Sequence, residues 1–205
     1  MNVISTLIPG VFIIEPRVFI DARGYFFESF SQREFDARIS AAVFGACADG
    51  IRNSQYQDKQ DSIVFVQDNE SRSTYGVLRG LHFQKPPYAQ SKLVRCLVGS
   101  VLDVAVDIRK GSPTYGKHVS VEPSEENHRM LFLPRGMAHG FSVLSDDVIF
   151  QYKCDQFYAP QSEGTIAWND SYLAIDWRLP PEGVLLSEKD SSLSLFKDFD
   201  SPFTY

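Results

Sequence analysis

Residues 101–108 read VLDVAVDI, and a strict alternation runs through them: Leu102, Val104, Val106 and Ile108 fall on one face, Asp103, Ala105 and Asp107 on the other. That is the period of a β-strand. Working outward, short apolar segments separated by Gly and Pro recur along the chain, and VFIIEPRVF, SIVFVQDN, GVLRGLHFQ, KLVRCLVG, HVSVE, MLFLP, FSVL and VIFQYKC read as further strands. The aromatic content, 16 Phe, 9 Tyr and 2 Trp, favours strands over helices. Only SQREFDARISAAVFGA (31–46) has helical spacing, with Ser31 placed to cap it and Glu34 three residues on. The polar stretch CADGIRNSQYQDKQD (47–61) reads as a surface insertion. Many short strands joined by turns predict an all-β sandwich or barrel with a few short helices.

A length of 205 residues is enough for one good core, so the expectation is a single domain over 1–205, with the insertion near 47–61 and a C-terminal extension near 190–205. Against 26 Asp and Glu stand 20 Lys and Arg, a net charge of −6 with no basic run, which argues against a nucleic-acid partner. The first twenty residues lack a basic n-region and a small-residue cleavage site, and no apolar run approaches the roughly 18 residues of a membrane span. Cys47, Cys96 and Cys154 have no metal-ligand spacing and leave one thiol over in any disulfide scheme. A cytoplasmic protein with no membrane contact is expected.

GVLRGLHFQ (76–84) carries a histidine inside an apolar run, where an imidazole needs hydrogen-bond partners or must stay uncharged. Strict alternation sets Arg79 on one face and His82 on the other. For both to line one pocket the alternation must break between them, and Gly80 is the place for a bulge or a close backbone approach. Double-sheet jelly rolls include the cupins, and LPRGMAHGF (133–141) resembles their second metal-binding segment through Pro134, Gly136 and His139. The first segment fails, because His82 is followed by Phe83 and Gln84 and no Glu lies between there and Glu122. Two imidazoles fall short of the three or four ligands a zinc or iron site uses, so a cupin-type double-stranded β-helix without metal is expected.

RVFIDARGYFFESF (17–30), FVQDNESRS (65–73), GVLRGLHFQ, SKLVRCLVGSVLDVAVDIRKGSPTYGKHV (91–119), LPRGMAHGF, FQYKCDQFYAP (150–160), SEGTIAWND (162–170) and LLSEKD (185–190) together resemble the dTDP-4-dehydrorhamnose 3,5-epimerase family, in family order. The match departs at about 40–61 and in the tail DFDSPFTY. The resemblance implies inversion of C3 and C5 of dTDP-4-keto-6-deoxy-D-glucose, as in deoxysugar (L-rhamnose) biosynthesis for surface polysaccharide. Both carbons flank the C4 carbonyl, so a base can remove either hydrogen, leave an enolate, and see the proton returned on the far face. No redox cofactor and no metal is implied. A base of near-neutral pKa serves best, which histidine supplies.

By the family pattern His82 is the base, Asp190 orients it, Lys92 faces the enolate oxygen and Tyr152 is the acid; Tyr152 also shares the alternating face of Val148 and Phe150. Arg23 and Arg79 offer planar forks to pyrophosphate oxygens. Glu28, Gln67, Asp68, Asn69, His139, Glu163 and Lys189 match positions that contact nucleotide or sugar. The segment with Arg23 and Glu28 reaches the neighbouring subunit's site in this family, which implies a homodimer. His118 and His128 match nothing and read as surface residues. Two other readings stand beside this one: a single-centre epimerase of a related nucleotide 4-keto sugar, and a non-catalytic sugar-nucleotide-binding cupin, which would be expected to lack His82, Tyr152 or Asp190.

Overall fold

The computed structural model describes residues 1–45, 62–191 and 194–205, so the insertion expected at 47–61, with Cys47, lies outside the described residues. In chain order the strands are β1 (Asn2–Ser5), β2 (Phe12–Glu15), β3 (Phe19–Asp21), β4 (Gly24–Phe26), β5 (Gln67–Thr74), β6 (Leu78–Gln84), β7 (Lys92–Val98), β8 (Val101–Asp107), β9 (Arg109–Lys110), β10 (His118–Val121), β11 (Met130–Leu133), β12 (Met137–Val143), β13 (Asp147–Cys154), β14 (Glu163–Thr165) and β15 (Phe203–Thr204). They form a six-stranded sheet in the order β1-β2-β11-β7-β13-β5 and a five-stranded sheet in the order β10-β8-β12-β6-β14. All pairings within these two sheets are antiparallel. This is the expected two-sheet jelly roll.

Three apolar clusters hold it together. Val94, Leu131, Phe141, Val148 and Phe150 fill the space between the sheets. The outer face of the five-stranded sheet packs Leu78, Leu81, Val104 and Val106 against Trp177, Phe196 and Phe203 of the C-terminal segment. The outer face of the six-stranded sheet packs Phe12, Leu93 and Phe132 under Phe35, Ile39 and Val43. Those last three recur every four residues along the predicted helix, which consists of Gln32–Phe35, a π-helical turn over Asp36–Ser40, and Ala41–Gly45. Ser31 caps it by accepting from the Glu34 N–H.

Coverage of both outer faces explains the burial of β8. Every residue of β8 is buried. Its apolar face packs under the C-terminal segment, while Asp103, Ala105 and Asp107 point between the sheets, so the aspartates are interior groups and need partners. Asp107 accepts from Arg109, Ser112 and Thr114. Burial pushes its pKa up, but those hydrogen bonds and the guanidinium charge hold it below the ordinary carboxylate value. The tail DFDSPFTY is tied to the same network: β15 pairs in parallel with β9, and the Arg109 guanidinium lies over the Tyr205 ring.

Two strand readings shift. VFIIEPRVF breaks after Glu15, because Pro16 has no N–H for the ladder, and β3 and β4 form a separate hairpin. SIVFVQDN becomes a strand only at Gln67; Ile63 and Phe65 instead pack beneath the helix, with Phe65 edge-on to Phe30 and Phe35.

β6 departs from alternation where expected. Opposite it, two residues of β12 span three of β6, since His139 pairs with His82 and Phe141 with Arg79. Leu78 and Leu81 therefore share the outer face, and Arg79 and His82 share the inner one. Gly80 has φ +141°, and a Cβ there would lie 2.5 Å from the Gly140 Cα. We predict that Gly80→Ala lowers unfolding free energy by about 1–3 kcal/mol in denaturant melts and displaces His82, reducing turnover. Unchanged stability and turnover would show that the approach of β6 to β12 is not needed.

Candidate active site

A cavity of about 300 Å³ opens between the sheets and is lined by Gln67, Asn69, His82, Phe83, Gln84, Gln90, Lys92, Tyr152, Cys154, Tyr158 and Glu163. Register explains the convergence. Asn69 lies opposite Tyr152 and Gln67 opposite Cys154 across β5 and β13; Cys154 lies opposite Lys92 across β13 and β7; Glu163 lies opposite Gln84 across β14 and β6. Directly paired residues share a face.

His82 Nε2 meets Asp190 Oδ1 at 2.5 Å, and the Asp190 side chain is 3% exposed. The ring N–H donates to the carboxylate, which leaves the other ring nitrogen as a free acceptor. Asp190 is itself fixed, since Ser187 Oγ donates to its second oxygen at 2.8 Å. Burial works to raise the Asp190 pKa, but hydrogen bonds from His82 and Ser187 and the charges of His82 and Lys189 hold it below the ordinary value. The carboxylate therefore stays ionised to stabilise an imidazolium.

Lys92 directs its ammonium over the Tyr152 ring, 5.6 Å from the centroid. Desolvation lowers its pKa, against the pull of Cys154, Asp103 and Glu163. Tyr152 is shifted the other way: burial raises its phenol above the ordinary value, opposed by nearby Arg79. Cys154, pushed up to about 11 by burial, remains a neutral thiol in the wall.

The other sequence-predicted residues divide by position. Gln67, Asn69 and Glu163 line the cavity, and Lys189 joins it through a 2.5 Å ion pair to Glu163. Arg79 donates to Ser73 Oγ at 3.2 Å on the same inner face. His139 is buried beside His82 across the ladder. Asp68 is not in this cavity: alternation along β5 turns it away from Gln67 and Asn69, and Lys153 donates to its carboxylate. Arg23 and Glu28 are not in this cavity; the Arg23 side chain is 90% exposed and pairs with Asp21, and Glu28 lines a separate cavity beside the helix.

Sequence reading missed Asp103, whose Oδ1 lies 2.6 Å from His139 Nε2 and whose Oδ2 is buried without a hydrogen-bond partner among the described residues. The signal was the aspartate facing Ala105's side of β8, once that side is known to be interior. It also missed Gln84, which bonds the backbone of Tyr88, Phe157 and Ala159 and so ties down both loops at the cavity mouth. Among the described residues, no three His, Cys, Asp or Glu converge as a metal-holding group.

A family model described as dTDP-4-dehydrorhamnose 3,5-epimerase matches residues 5–198. The chain belongs to the dTDP-4-dehydrorhamnose 3,5-epimerase family. A protein of that name from Shigella flexneri is 50% identical over 200 residues, 98% of each chain. The crystal structure of dTDP-4-dehydrorhamnose 3,5-epimerase from Elizabethkingia anophelis is similar with a TM-score of 0.82 and 46% identity over 97% of each chain. That of dTDP-6-deoxy-D-glucose-3,5-epimerase from Legionella pneumophila, in complex with dTDP-4-keto-L-rhamnose, gives 0.82 and 46% over 97% of this chain and 94% of that one. These relatives place the two-sheet barrel among the cupin-type double-stranded β-helices.

The opposed shifts of Lys92 and Tyr152 make a pH prediction. If the ammonium is needed, kcat/KM falls as pH rises through the lowered Lys92 pKa, below the ordinary lysine value of about 10.4. Tyr152, shifted upward from about 10, stays protonated through that range. Lys92→Arg, whose guanidinium does not titrate there, should move the alkaline limb upward even at a reduced rate. A limb unmoved in that variant would assign it to another group.

Proposed function

We propose that the chain epimerises a dTDP-linked 4-keto-6-deoxy sugar at C3 and C5, converting dTDP-4-keto-6-deoxy-D-glucose to dTDP-4-keto-L-rhamnose. The observation that carries this reading is the fixed His82–Asp190 pair in one cavity with Lys92 and Tyr152. His82 removes the C–H proton beside the carbonyl, and the electron pair moves into the C–C–O system as an enolate. Lys92 stabilises the developing charge on the oxygen, in a desolvated site where such a donor is worth most. Tyr152, kept protonated by its burial, delivers a proton to the opposite face of the same carbon. One proton leaves and one returns, the oxidation state of the sugar is unchanged, and the chemistry requires no redox cofactor.

Gln67, Asn69, Glu163 and Lys189 hold the sugar nucleotide at the cavity, with Arg79 and His139 on the same inner face. Arg23 and Glu28 act in a homodimer, reaching the neighbouring subunit's site. Support for that arrangement is the β3–β4 hairpin, where Phe19, Ile20, Tyr25 and Phe26 are all exposed and Arg23, among the described residues, pairs with Asp21 alone. A cytoplasmic setting suits the buried free thiols of Cys96 and Cys154, and no helix of the described residues is long and apolar enough to cross a membrane.

Exchange with solvent tests the assignment, because each deprotonation and return marks one carbon. In heavy water the protein should place deuterium at both C3 and C5 of dTDP-4-keto-6-deoxy-D-glucose. Tyr152→Phe should still exchange hydrogen yet accumulate little doubly inverted product. Label at one carbon alone would reduce the activity to single-centre epimerisation, and no label from any nucleotide 4-keto sugar would leave a binding protein.

A further inference from the structure

His128 is not the free surface residue its sequence context suggests. Its ring packs at a tilt against Tyr25, with centroids 4.6 Å apart, and against Phe27 at 5.0 Å, while Tyr25 and Phe27 stack on each other at 6.0 Å. The Arg95 guanidinium lies over the other ring of the set, 5.8 Å from the Phe27 centroid. These four side chains border a cavity of about 260 Å³ between the barrel and the segment that leaves the β3–β4 hairpin.

The backbone beneath His128 is built for this placement. Its φ is +53°, a left-handed conformation uncommon for a residue with a Cβ. The turn is fixed by Asn127, whose Oδ1 accepts from the N–H groups of Ser124 and Arg129 and whose amide donates to the Glu122 carbonyl. The His128 N–H adds a bond to the Ser124 carbonyl. So a hydrogen-bonded turn spends conformational freedom to hold one imidazole against two aromatic rings.

Tyr25 lies in β4 one pair from the turn and Phe27 just beyond the strand, and the Arg23 guanidinium at the hairpin tip is otherwise exposed. We infer that His128 is a positioning residue: its packing against Tyr25 and Phe27 aims the hairpin, and through it Arg23, at the nucleotide diphosphate. This rests on the proposed reach of Arg23 into the neighbouring subunit's site. Because Arg23 anchors rather than reacts, loss of that packing weakens binding and spares chemistry.

The test measures kcat and KM for the dTDP 4-keto sugar in His128→Ala, His128→Phe, Arg23→Ala and the double variant His128→Ala/Arg23→Ala, with melting temperatures alongside. His128→Ala should raise KM about tenfold with kcat within about twofold, and His128→Phe, which keeps a flat ring, should restore KM. The double variant should be no worse than Arg23→Ala, since residues acting through one contact are not additive. An unchanged KM in His128→Ala, beside a raised one in Arg23→Ala, would overturn the inference. So would a fall in kcat and melting temperature together that His128→Phe does not repair. An unchanged KM in Arg23→Ala would refute the hairpin's role in binding, and the route from His128 with it.

Discussion

Where β6 crosses β12, the backbones at Gly80 and Gly140 approach until neither has room for a side chain: a Cβ on Gly80 would meet the Gly140 Cα at 2.5 Å, and one on Gly140 would meet the Arg79 carbonyl oxygen at 2.8 Å. At this point β6 carries one residue more than its partner, and everything beyond it changes face. Without the extra residue, an inward Arg79 would send His82 outward into the packing of Leu81 and Trp177. With it, His82 faces Lys92, Tyr152 and Glu163 around one cavity, and Asp190 approaches the ring from the C-terminal segment.

Burial is the largest influence on the titrations of Lys92, Tyr152 and Cys154 in the cavity. Desolvation lowers Lys92 and His139 and raises Tyr152, each toward the neutral form. Carboxylates sit against both imidazoles, Asp190 against His82 and Asp103 against His139, and the Asp103 charge opposes the desolvation of His139. A lysine ammonium in a desolvated site, a phenol kept protonated and an imidazole with an ionised partner suit enolate chemistry, in which one proton leaves the carbon and one returns.

Much of this was legible in the sequence, for stated reasons. Alternation located β8 and β13, placed Tyr152 inward with Val148 and Phe150, and showed that Arg79 and His82 could share a pocket only through a break at Gly80. Helical spacing and the Ser31 cap located the helix. What alternation cannot tell is which face of a strand is inside. In β8 both faces are buried, so an apparently polar face proved interior and Asp103 went unnoticed as the partner of His139. On β5 the same alternation sets Asp68 on the face opposite Gln67 and Asn69. Ile63 and Phe65 read as strand because packing under a helix calls for the same residue types as a ladder. His128 had no local signal at all, since its packing joins segments a hundred residues apart.

The central claim is that His82, oriented by Asp190, is the base at carbon. The most direct measurement compares His82→Asn with the parent protein in turnover, in solvent exchange at C3 and C5, and in affinity for dTDP. The account predicts that turnover and exchange fall together by about 10²- to 10⁴-fold while dTDP affinity is unchanged, because the base acts on the transition state and other residues hold the nucleotide. Turnover and exchange at the parent rate in His82→Asn would contradict it and place the base elsewhere in the cavity.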